Sequence, residues 1–328
     1  MARVALVHDV AGVAKIQAEL LRSAGHEVDQ FALPDAGAGW NWPLKGVALP
    51  FRLAAYLPTI NHLRRGKYDI VHIHWLSHGI VGVLSGRKFF AQAHGSDLHL
   101  NLNNPLYRWV TRSVLANAAS IFYVTPNLKT FLERYEEKLV YLPNPVDMRG
   151  IAAGFTAPTG VAKLLIFTRL DPVKGVEHIL PAVETLSGIV DVTALNWGPL
   201  AAGYVKRYGR FVDFVPRVPH EQIGPFLQQF DVVIGQMRQG ILSLMEIESL
   251  AAGRPLITAV EGSLYEQDPP PVVAASDPDE IVAAVEKLAG DPSELSRLSG
   301  EGREWAFRNH SYAHHLQLLE SAYFGTAG

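Results

Sequence analysis

The chain of 328 residues is predicted to fold as an α/β protein with two doubly wound domains. Short apolar runs alternate with longer amphipathic runs, which is typical of parallel sheets covered by helices on both faces. The length suits about two domains with ample cores. A hydrophobic content of 48% is that of a globular α/β protein.

The first domain is expected over residues 1–150. Its strands are predicted near residues 3–8, 26–31, 69–74, 88–93, 120–124 and 139–142. Helices are predicted near 13–24, where Gly25 ends the pattern, and near 105–118 and 126–135. Residues 34–50 are rich in Gly, Pro and Trp and are predicted to form a loop.

The second domain is expected over residues 151–310. Its strands are predicted near residues 163–168, 190–195, 211–215, 231–235, 255–258 and 271–274. Helices are predicted near 277–289 and 292–307, and a last helix near 311–323. No short-period repeat or low-complexity segment interrupts this alternation.

Composition excludes several classes of protein. A formal net charge of −3 argues against a nucleic-acid binder. The absence of Cys excludes disulfides, Cys-based zinc sites and a thiol nucleophile. The chain opens with a strand rather than a signal peptide, and no run of about 20 apolar residues is present to span a bilayer. We therefore expect a cytoplasmic enzyme.

The segment from Ser243 to Pro255 is the most informative in the chain. It follows a predicted strand and the loop Gly240-Ile241-Leu242. Ser243 is a good N-cap, and Glu246 three residues later completes a capping box. The pattern predicts a short helix from Leu244, stopped by Gly253. A helix N-terminus beside a small Gly is a natural anion site, and Glu248 lies one turn inside the helix.

Two further strand ends carry polar residues. Arg169 and Lys174 follow the strand at 163–168, and two cations in a βα loop suit a diphosphate. Gly175 lets the backbone approach closely. In the first half, His94 and Asp97 follow the strand at 88–93, and Gly12 is the single glycine of the first βα loop.

These segments resemble the motifs of family 4 glycosyltransferases. The family pattern is Glu, seven residues, Glu, then small residues ending in Gly-Lys/Arg-Pro; here Glu248 and Ala251–Pro255 match, and Gly240 stands where the family has its first Glu. Arg169 and Lys174-Gly175 match the family's Arg, four residues, Lys-Gly motif. His94 to Asp97 match its His-Gly-x-Asp motif. The resemblance covers most of the chain, most strongly residues 68–97 and 140–258.

The resemblance implies the GT-B architecture, in which two doubly wound Rossmann-like domains face a central cleft. The last helix, about 311–328, is then expected to pack back on the N-terminal acceptor domain, and the C-terminal domain to bind the nucleotide-sugar donor. The implied reaction transfers a sugar from a nucleotide-diphosphate sugar to a hydroxyl of a glycan, lipid or small-molecule acceptor, with retention at the anomeric carbon. No metal or other cofactor is required, and the product belongs to glycan or glycolipid biosynthesis.

The resemblance also implies roles for the residues. Arg169 and Lys174 bind the diphosphate, and His94 lies at the reaction centre, so these three are the candidate catalytic residues. The donor-binding candidates are Gly240, Ile241, Leu242 and Glu248, with Glu248 holding the ribose hydroxyls. Asp97 and Gly12 are expected on the acceptor side. By position alone, Arg217 is expected to face the base.

Alternative functions remain open at this point. Gly240 in place of a carboxylate is compatible with a GT-B scaffold that binds a nucleotide sugar without transfer, and an epimerase has a similar architecture. A dehydrogenase is disfavoured because the first βα loop lacks the Gly-x-Gly-x-x-Gly fingerprint. His72 and His74 could be metal ligands, but no carboxylate cluster accompanies them, so satisfied core histidines are preferred. Capping explains Glu246 without chemistry.

Membrane contact is a further possibility. Aromatic and aliphatic residues alternate with cations over residues 51–67 and again at Tyr107, Arg108, Trp109 and Arg112. Such surfaces can hold an enzyme on anionic lipid. Helices that pack on a sheet also show this pattern, and core packing is the preferred interpretation.

Overall fold

The computed structural model describes residues 1–34, 42–95, 97–98, 102 and 105–325. The chain divides into two compact units. One comprises Met1–Pro145 together with residues from Ala313 onward, and the other comprises Val146–Tyr312. The sequence had suggested boundaries at 150 and 310.

The first unit contains a six-stranded parallel sheet of order β2-β1-β3-β4-β5-β6 among its described residues. Apolar runs form these strands because the central ones are buried on both faces. Their bounds are β1 Arg3–Val7, β2 Glu27–Phe31, β3 Ile70–His74, β4 Phe90–Ala93, β5 Ser120–Tyr123 and β6 Leu139–Tyr141.

Helices cover both faces of this sheet. They are α1 Val13–Ser23, α2 Trp42–Arg65, α3 Ile80–Ser85, α4 Pro105–Asn117 and α5 Lys129–Leu132. The prediction of a loop over residues 34–50 is wrong for 42–50, which are helical, while 35–41 lie outside the described residues. Tyr56, Ile60 and Leu63 in α2 are buried at helical spacing. This tertiary packing outweighs the low helix propensity of Gly and Pro.

The second unit contains a second six-stranded parallel sheet, of order β12-β11-β10-β7-β8-β9. Its strands are β7 Lys163–Ile166, β8 Asp191–Leu195, β9 Asp213–Val215, β10 Val232–Ile234, β11 Leu256–Thr258 and β12 Val273–Ala274. Its helices are α6 Met148–Ala152, α7 Val176–Ile179, α8 Val183–Leu186, α9 Ala201–Tyr208, α10 Ile223–Leu227, α11 Leu244–Ala251, α12 Pro278–Gly290 and α13 Pro292–His310. The predicted fold class is confirmed: two doubly wound α/β units.

The last helix, α14 Tyr312–Phe324, packs within the first unit. Leu319 and Tyr323 join a buried cluster with Val4, Phe90 and Phe122 on one face of the first sheet. None of the helices in the described ranges is long and apolar enough to cross a membrane.

Candidate functional site

The loop that follows β7 is shaped by one carboxylate and one glycine. Asp171 accepts a hydrogen bond from the Val173 N–H (3.0 Å) and pairs with the Arg169 guanidinium at 2.6 Å. Gly175 has φ of 68°, and a Cβ there would lie 2.9 Å from the carbonyl carbon of Met237. The loop therefore packs its backbone directly against the segment that follows β10, as only glycine allows.

Lys174 links these two loops. Its Nζ donates to Gln239 Oε1 at 2.5 Å, and its carbonyl accepts from the Met237 N–H at 2.8 Å. Burial lowers the pKa of Lys174; the carboxylates of Glu246 and Asp171 oppose this shift, and the nearby Arg169 adds to it. The structure thus brings both predicted cations to one place, where an anion would relieve their mutual repulsion.

The segment after β10 is held by Gln236, a residue that sequence reasoning missed. This fully buried side chain accepts at Oε1 from the N–H groups of Arg238 (2.8 Å) and Gln239 (2.5 Å). Its Nε2 donates to the carbonyls of Ile241 (2.9 Å) and Ala259 (3.1 Å). A polar residue directly after a buried strand was the available signal, because such a residue must find partners in the loop it begins.

The predicted capping box at the start of α11 is confirmed. Ser243 is the N-cap, and its side chain and that of Glu246 bond reciprocally to backbone N–H groups. Glu246 is fully buried, and burial raises its pKa. Its Oε1 accepts from the Gln236 N–H and the Thr258 hydroxyl, and its Oε2 accepts from Ser243. Glu246 therefore ties the helix to the ends of β10 and β11.

The predicted donor loop contributes backbone rather than side chains. The Leu242 side chain is buried in the core, and its N–H donates to the Tyr265 hydroxyl at 3.0 Å. The Ile241 carbonyl is bound by Gln236. Gly240 has φ of 68°, and a Cβ there would lie 3.2 Å from the Cβ of Glu261. Position 240 therefore suits a residue with no side chain.

Glu248 lies on α11 with its side chain almost buried, at 5% exposure. Burial raises its pKa to about 7. Nδ1 of His220, on the turn His220–Gln222 after β9, lies 3.5 Å from Oε1 of Glu248. The sequence did not indicate His220. Nearby, Arg217, which the sequence placed toward a base, lies with Cζ 4.4 Å above the ring of Trp197.

In the first unit, Asp97 is fully buried directly after β4. Its oxygens accept from the backbone N–H groups of Leu76 (2.9 Å), His94 (3.0 Å) and Leu98 (3.0 Å). Asp97 thus fixes the backbone on which His94 stands. This arrangement argues against direct contact between Asp97 and an acceptor, because its side chain has no exposed surface and both its oxygens are bonded to backbone N–H groups. Ser96 lies outside the described residues.

His94 is one of several imidazoles at this edge of the first sheet. Its Nε2 lies 3.1 Å from Nδ1 of His74, and Nδ1 of His72 lies 2.6 Å from the Tyr323 hydroxyl. Burial lowers the pKa of both His94 and His72 to about 3, so both are neutral at physiological pH. Within the described residues, no group of three or more His, Cys, Asp or Glu side chains is arranged to hold a metal ion.

The carboxyl edge of the first sheet also carries backbone strain. Three non-glycine residues in the described ranges have positive φ, and all lie just beyond β1 or β3: His8 (65°), Ala11 (52°) and Trp75 (71°). Gly12, with φ of 81°, is the N-cap of α1 and has open space above it. Such strain concentrates at functional sites.

Known proteins resemble this chain in sequence and in fold. Residues 11–149 match the model described as Glycosyltransferase Family 4, and residues 177–321 match one described as Glycosyl transferase-like. Both halves of the chain therefore match glycosyltransferase models, and the model matched by the first half is that of family 4. Among the relatives of the chain is the MMP alpha-(1->4)-mannosyltransferase of Mycolicibacterium hassiacum, 30% identical over 148 residues. That match covers 41% of this chain and 36% of the relative, so it spans about a third of the relative's length.

Solved structures show the same fold. Sucrose-phosphate synthase from Thermosynechococcus elongatus is 18% identical, with a TM-score of 0.75 over 98% of each chain. HepE from Anabaena, solved in complex with UDP-glucose, is 12% identical, with a TM-score of 0.72 over 98% of this chain and 99% of that one. The predicted GT-B fold is thereby confirmed.

Proposed function

We propose that this protein transfers a sugar from a nucleotide-diphosphate sugar to an acceptor hydroxyl, with retention of anomeric configuration and without a metal. The single observation that carries this proposal is the meeting of Arg169, Lys174 and the N-terminus of α11 around the loop at 238–242. Nucleotide sugars contain an anionic diphosphate joined to polyhydroxylated rings, and this arrangement matches that chemistry. HepE, a protein of the same fold, was solved in complex with UDP-glucose, which supports the choice of ligand class.

Arg169 and Lys174 would stabilise the charge that develops on the leaving diphosphate. Donors and cations fixed before the reaction are effective because they need no reorganisation as charge develops. When the diphosphate binds, Lys174 would exchange its bond to Gln239 for a phosphate oxygen. The N–H groups of the first turn of α11 that the capping box does not engage would face the same anion.

Glu248 would accept hydrogen bonds from the ribose hydroxyls of the donor. Its carboxyl group is nearly buried and has His220 at 3.5 Å as its neighbour. A buried acid with a pKa of about 7 is costly to the fold when it is ionised, which is typical of groups retained for binding. Ribose hydroxyls would supply the donors that the ionised carboxylate lacks.

The first unit would bind the acceptor, with Gly12 and the neutral His94 at the carboxyl edge of its sheet. Asp97 would hold His94 in place through the backbone. A neutral imidazole can donate from one nitrogen and accept at the other, so it can orient sugar hydroxyls without adding charge.

The test of this proposal is the thermal stability of the pure protein with UDP, GDP, ADP and dTDP in the presence of a chelator. One nucleotide should stabilise the protein, and Lys174→Ala should reduce that affinity about 10- to 100-fold, because a charge-assisted hydrogen bond contributes about 1.5–3 kcal/mol. Lys206→Ala is the matched control, since Lys206 is exposed on α9 of the same unit. No stabilisation by any nucleotide would refute the proposal.

A second experiment separates transfer from the alternatives. With the nucleotide sugar identified, release of free nucleotide should depend on an added acceptor, and NMR of the product should show the anomeric configuration of the donor. An inverted product would remove retention from the proposal. A scaffold would release no nucleotide, and an epimerase would alter the sugar while it stays attached to the nucleotide.

We also propose that the first unit contacts anionic membrane. α2 packs against α3, and α3 packs against α4. These helices expose Phe51, Leu57, Leu84 and Trp109, the last at 66%. Residues 36–68 and 98–132 contain eight Lys or Arg and no Asp or Glu. Exposed apolar side chains in segments with this excess of cations suit the boundary between headgroups and acyl chains.

Vesicle sedimentation tests this contact. Binding should require phosphatidylserine in a phosphatidylcholine vesicle, weaken as salt is added, and fall in Trp109→Ser. Ile189→Ser, a change at an exposed apolar residue of the second unit, should have no effect. Equal sedimentation with neutral and anionic vesicles would contradict the proposal.

A further inference from the structure

The segment after β11 is docked on the donor loop by several contacts. Gly240 and Val260 form a parallel β-bridge, and the Glu261 N–H donates to the Gly240 carbonyl at 2.9 Å. On the far side, the Leu242 N–H donates to the Tyr265 hydroxyl at 3.0 Å. The two segments are therefore held in a fixed register.

This docking places the side chain of Glu261 in the space that a side chain at position 240 would need. A Cβ on Gly240 would lie 3.2 Å from Cβ and 3.6 Å from Oε2 of Glu261. The Ser263 hydroxyl donates to Oε1 of Glu261 at 2.8 Å, so the carboxylate is oriented although it is exposed. Gly240, which has a left-handed backbone and no side chain, therefore leaves room for the side chain of Glu261.

We propose that Glu261 binds hydroxyl groups of the donor sugar, supplying from the segment after β11 the carboxylate that the loop at 238–242 lacks. This inference rests on the function proposed above. Gln239, which holds the Lys174 ammonium, is the residue next to Gly240. The carboxylate therefore stands beside the proposed diphosphate site.

A carboxylate in this place needs a hydroxyl-rich partner. A diphosphate would repel the Glu261 carboxylate because both are anionic, whereas sugar hydroxyls donate strong hydrogen bonds to a charged acceptor. Loop 238–242 reads Arg-Gln-Gly-Ile-Leu and contains no acid of its own. Specificity among sugars would then depend on Glu261, because a site built to bond a hydroxyl rejects a sugar that does not present one there.

The test compares the affinity of the free nucleotide with that of its nucleotide sugar, by calorimetry and without acceptor. The probes are UDP with UDP-glucose, GDP with GDP-mannose and ADP with ADP-glucose. In Glu261→Ala, the free nucleotide should bind as in the wild type, within about twofold, because Glu261 does not touch it. The nucleotide sugar should bind about 10- to 100-fold more weakly, the loss typical of one or two hydrogen bonds to a charged acceptor.

Two further variants sharpen the result. Glu261→Gln should bind the nucleotide sugar with intermediate affinity, because an amide oxygen accepts more weakly than a carboxylate. Glu266→Ala removes another exposed carboxylate of the same segment and should change neither affinity. Since the Glu261 side chain is exposed and bonds to the neighbouring Ser263, its removal should leave the fold intact.

The outcomes separate this inference from the proposed function. If the free nucleotide binds and Glu261→Ala retains full affinity for the nucleotide sugar, this inference is wrong and the proposed function stands. If Glu261→Ala weakens the free nucleotide as much as the nucleotide sugar, Glu261 acts on the loop rather than on the sugar, and the inference is also wrong. If no nucleotide binds the wild-type protein, both proposals fall.

Discussion

Replacing Glu248 by glutamine should make the protein more stable above neutral pH. Burial raises the pKa of this carboxyl from 4.5 to about 7. The folded state therefore prefers the protonated acid. The stability that the protonated Glu248 contributes is complete below pH 4.5 and is lost as the pH rises through 7. A shift of about 2.5 units corresponds to about 3 kcal/mol at pH 8.

The effect has a definite pH profile. Relative to the wild type, the stability of Glu248→Gln should increase by about 1 kcal/mol at pH 5, about 2 kcal/mol at pH 6 and about 3 kcal/mol at pH 8. A buried amide differs from a carboxylic acid in its hydrogen bonds, and that difference changes the free energy of unfolding by the same amount at every pH. The diagnostic quantity is therefore the change in the difference with pH.

Calorimetric unfolding of both proteins from pH 5 to pH 8 measures this profile. Glu266→Gln, a change at an exposed glutamate of the same unit, is the control and should follow the wild type at every pH. A difference between Glu248→Gln and the wild type that does not vary with pH would refute the reasoning. The same variant should bind the nucleotide sugar more weakly, so that stability and binding change in opposite directions.

Three other predictions follow from particular contacts. The free energy of unfolding should fall by about 2 kcal/mol for each of His72 and His94 as the pH is lowered from 7 to 5. Burial lowers their pKa values to about 3, so only the unfolded chain gains these protons. The slope of unfolding free energy against pH measures this, and the slope should be shallower in His72→Gln. Gly175→Ala should lower the free energy of unfolding by about 1–3 kcal/mol, since its φ of 68° and the contact with Met237 both oppose a Cβ. Urea denaturation measures this loss, and Gly203→Ala on α9, where a Cβ meets open space, is the control. Glu246→Gln should lower the free energy of unfolding by about 2–4 kcal/mol, because an amide nitrogen, which cannot accept a hydrogen bond, replaces one of two oxygens that both act as acceptors. An unchanged midpoint of urea denaturation would contradict the capping role.

The sequence predicted the sheets well because their signal is local. Strands such as β1, β7 and β10 are short, mainly apolar runs, and such a run can be recognised without knowledge of its neighbours in the sheet. The cap of α11 was equally local, since Ser243 and Glu246 are three residues apart. The helical state of residues 42–50 was missed because it depends on burial of the later turns of α2 against the core.

The candidate site was only partly predictable for the same reason. Arg169 and Lys174 were found because both belong to one loop. Gln236, His220 and Glu261 act across loops that are far apart in sequence, and spacing does not reveal such contacts. Asp97 was recognised, but its burial was not, because a carboxylate bonded to backbone N–H groups has the same sequence pattern as one that faces a ligand.

The packing of α14 sets an order for biosynthesis. Leu319 and Tyr323 complete the core of the first unit, and Tyr323 bonds to His72 across 251 positions of sequence. Residues 146–312 leave the ribosome before α14 does, so the second unit can fold while the first still has an uncovered face. Domains usually fold in the order of their synthesis. Here the unit that comes first in this sequence would finish folding last, and its apolar surface would stay exposed until α14 is made.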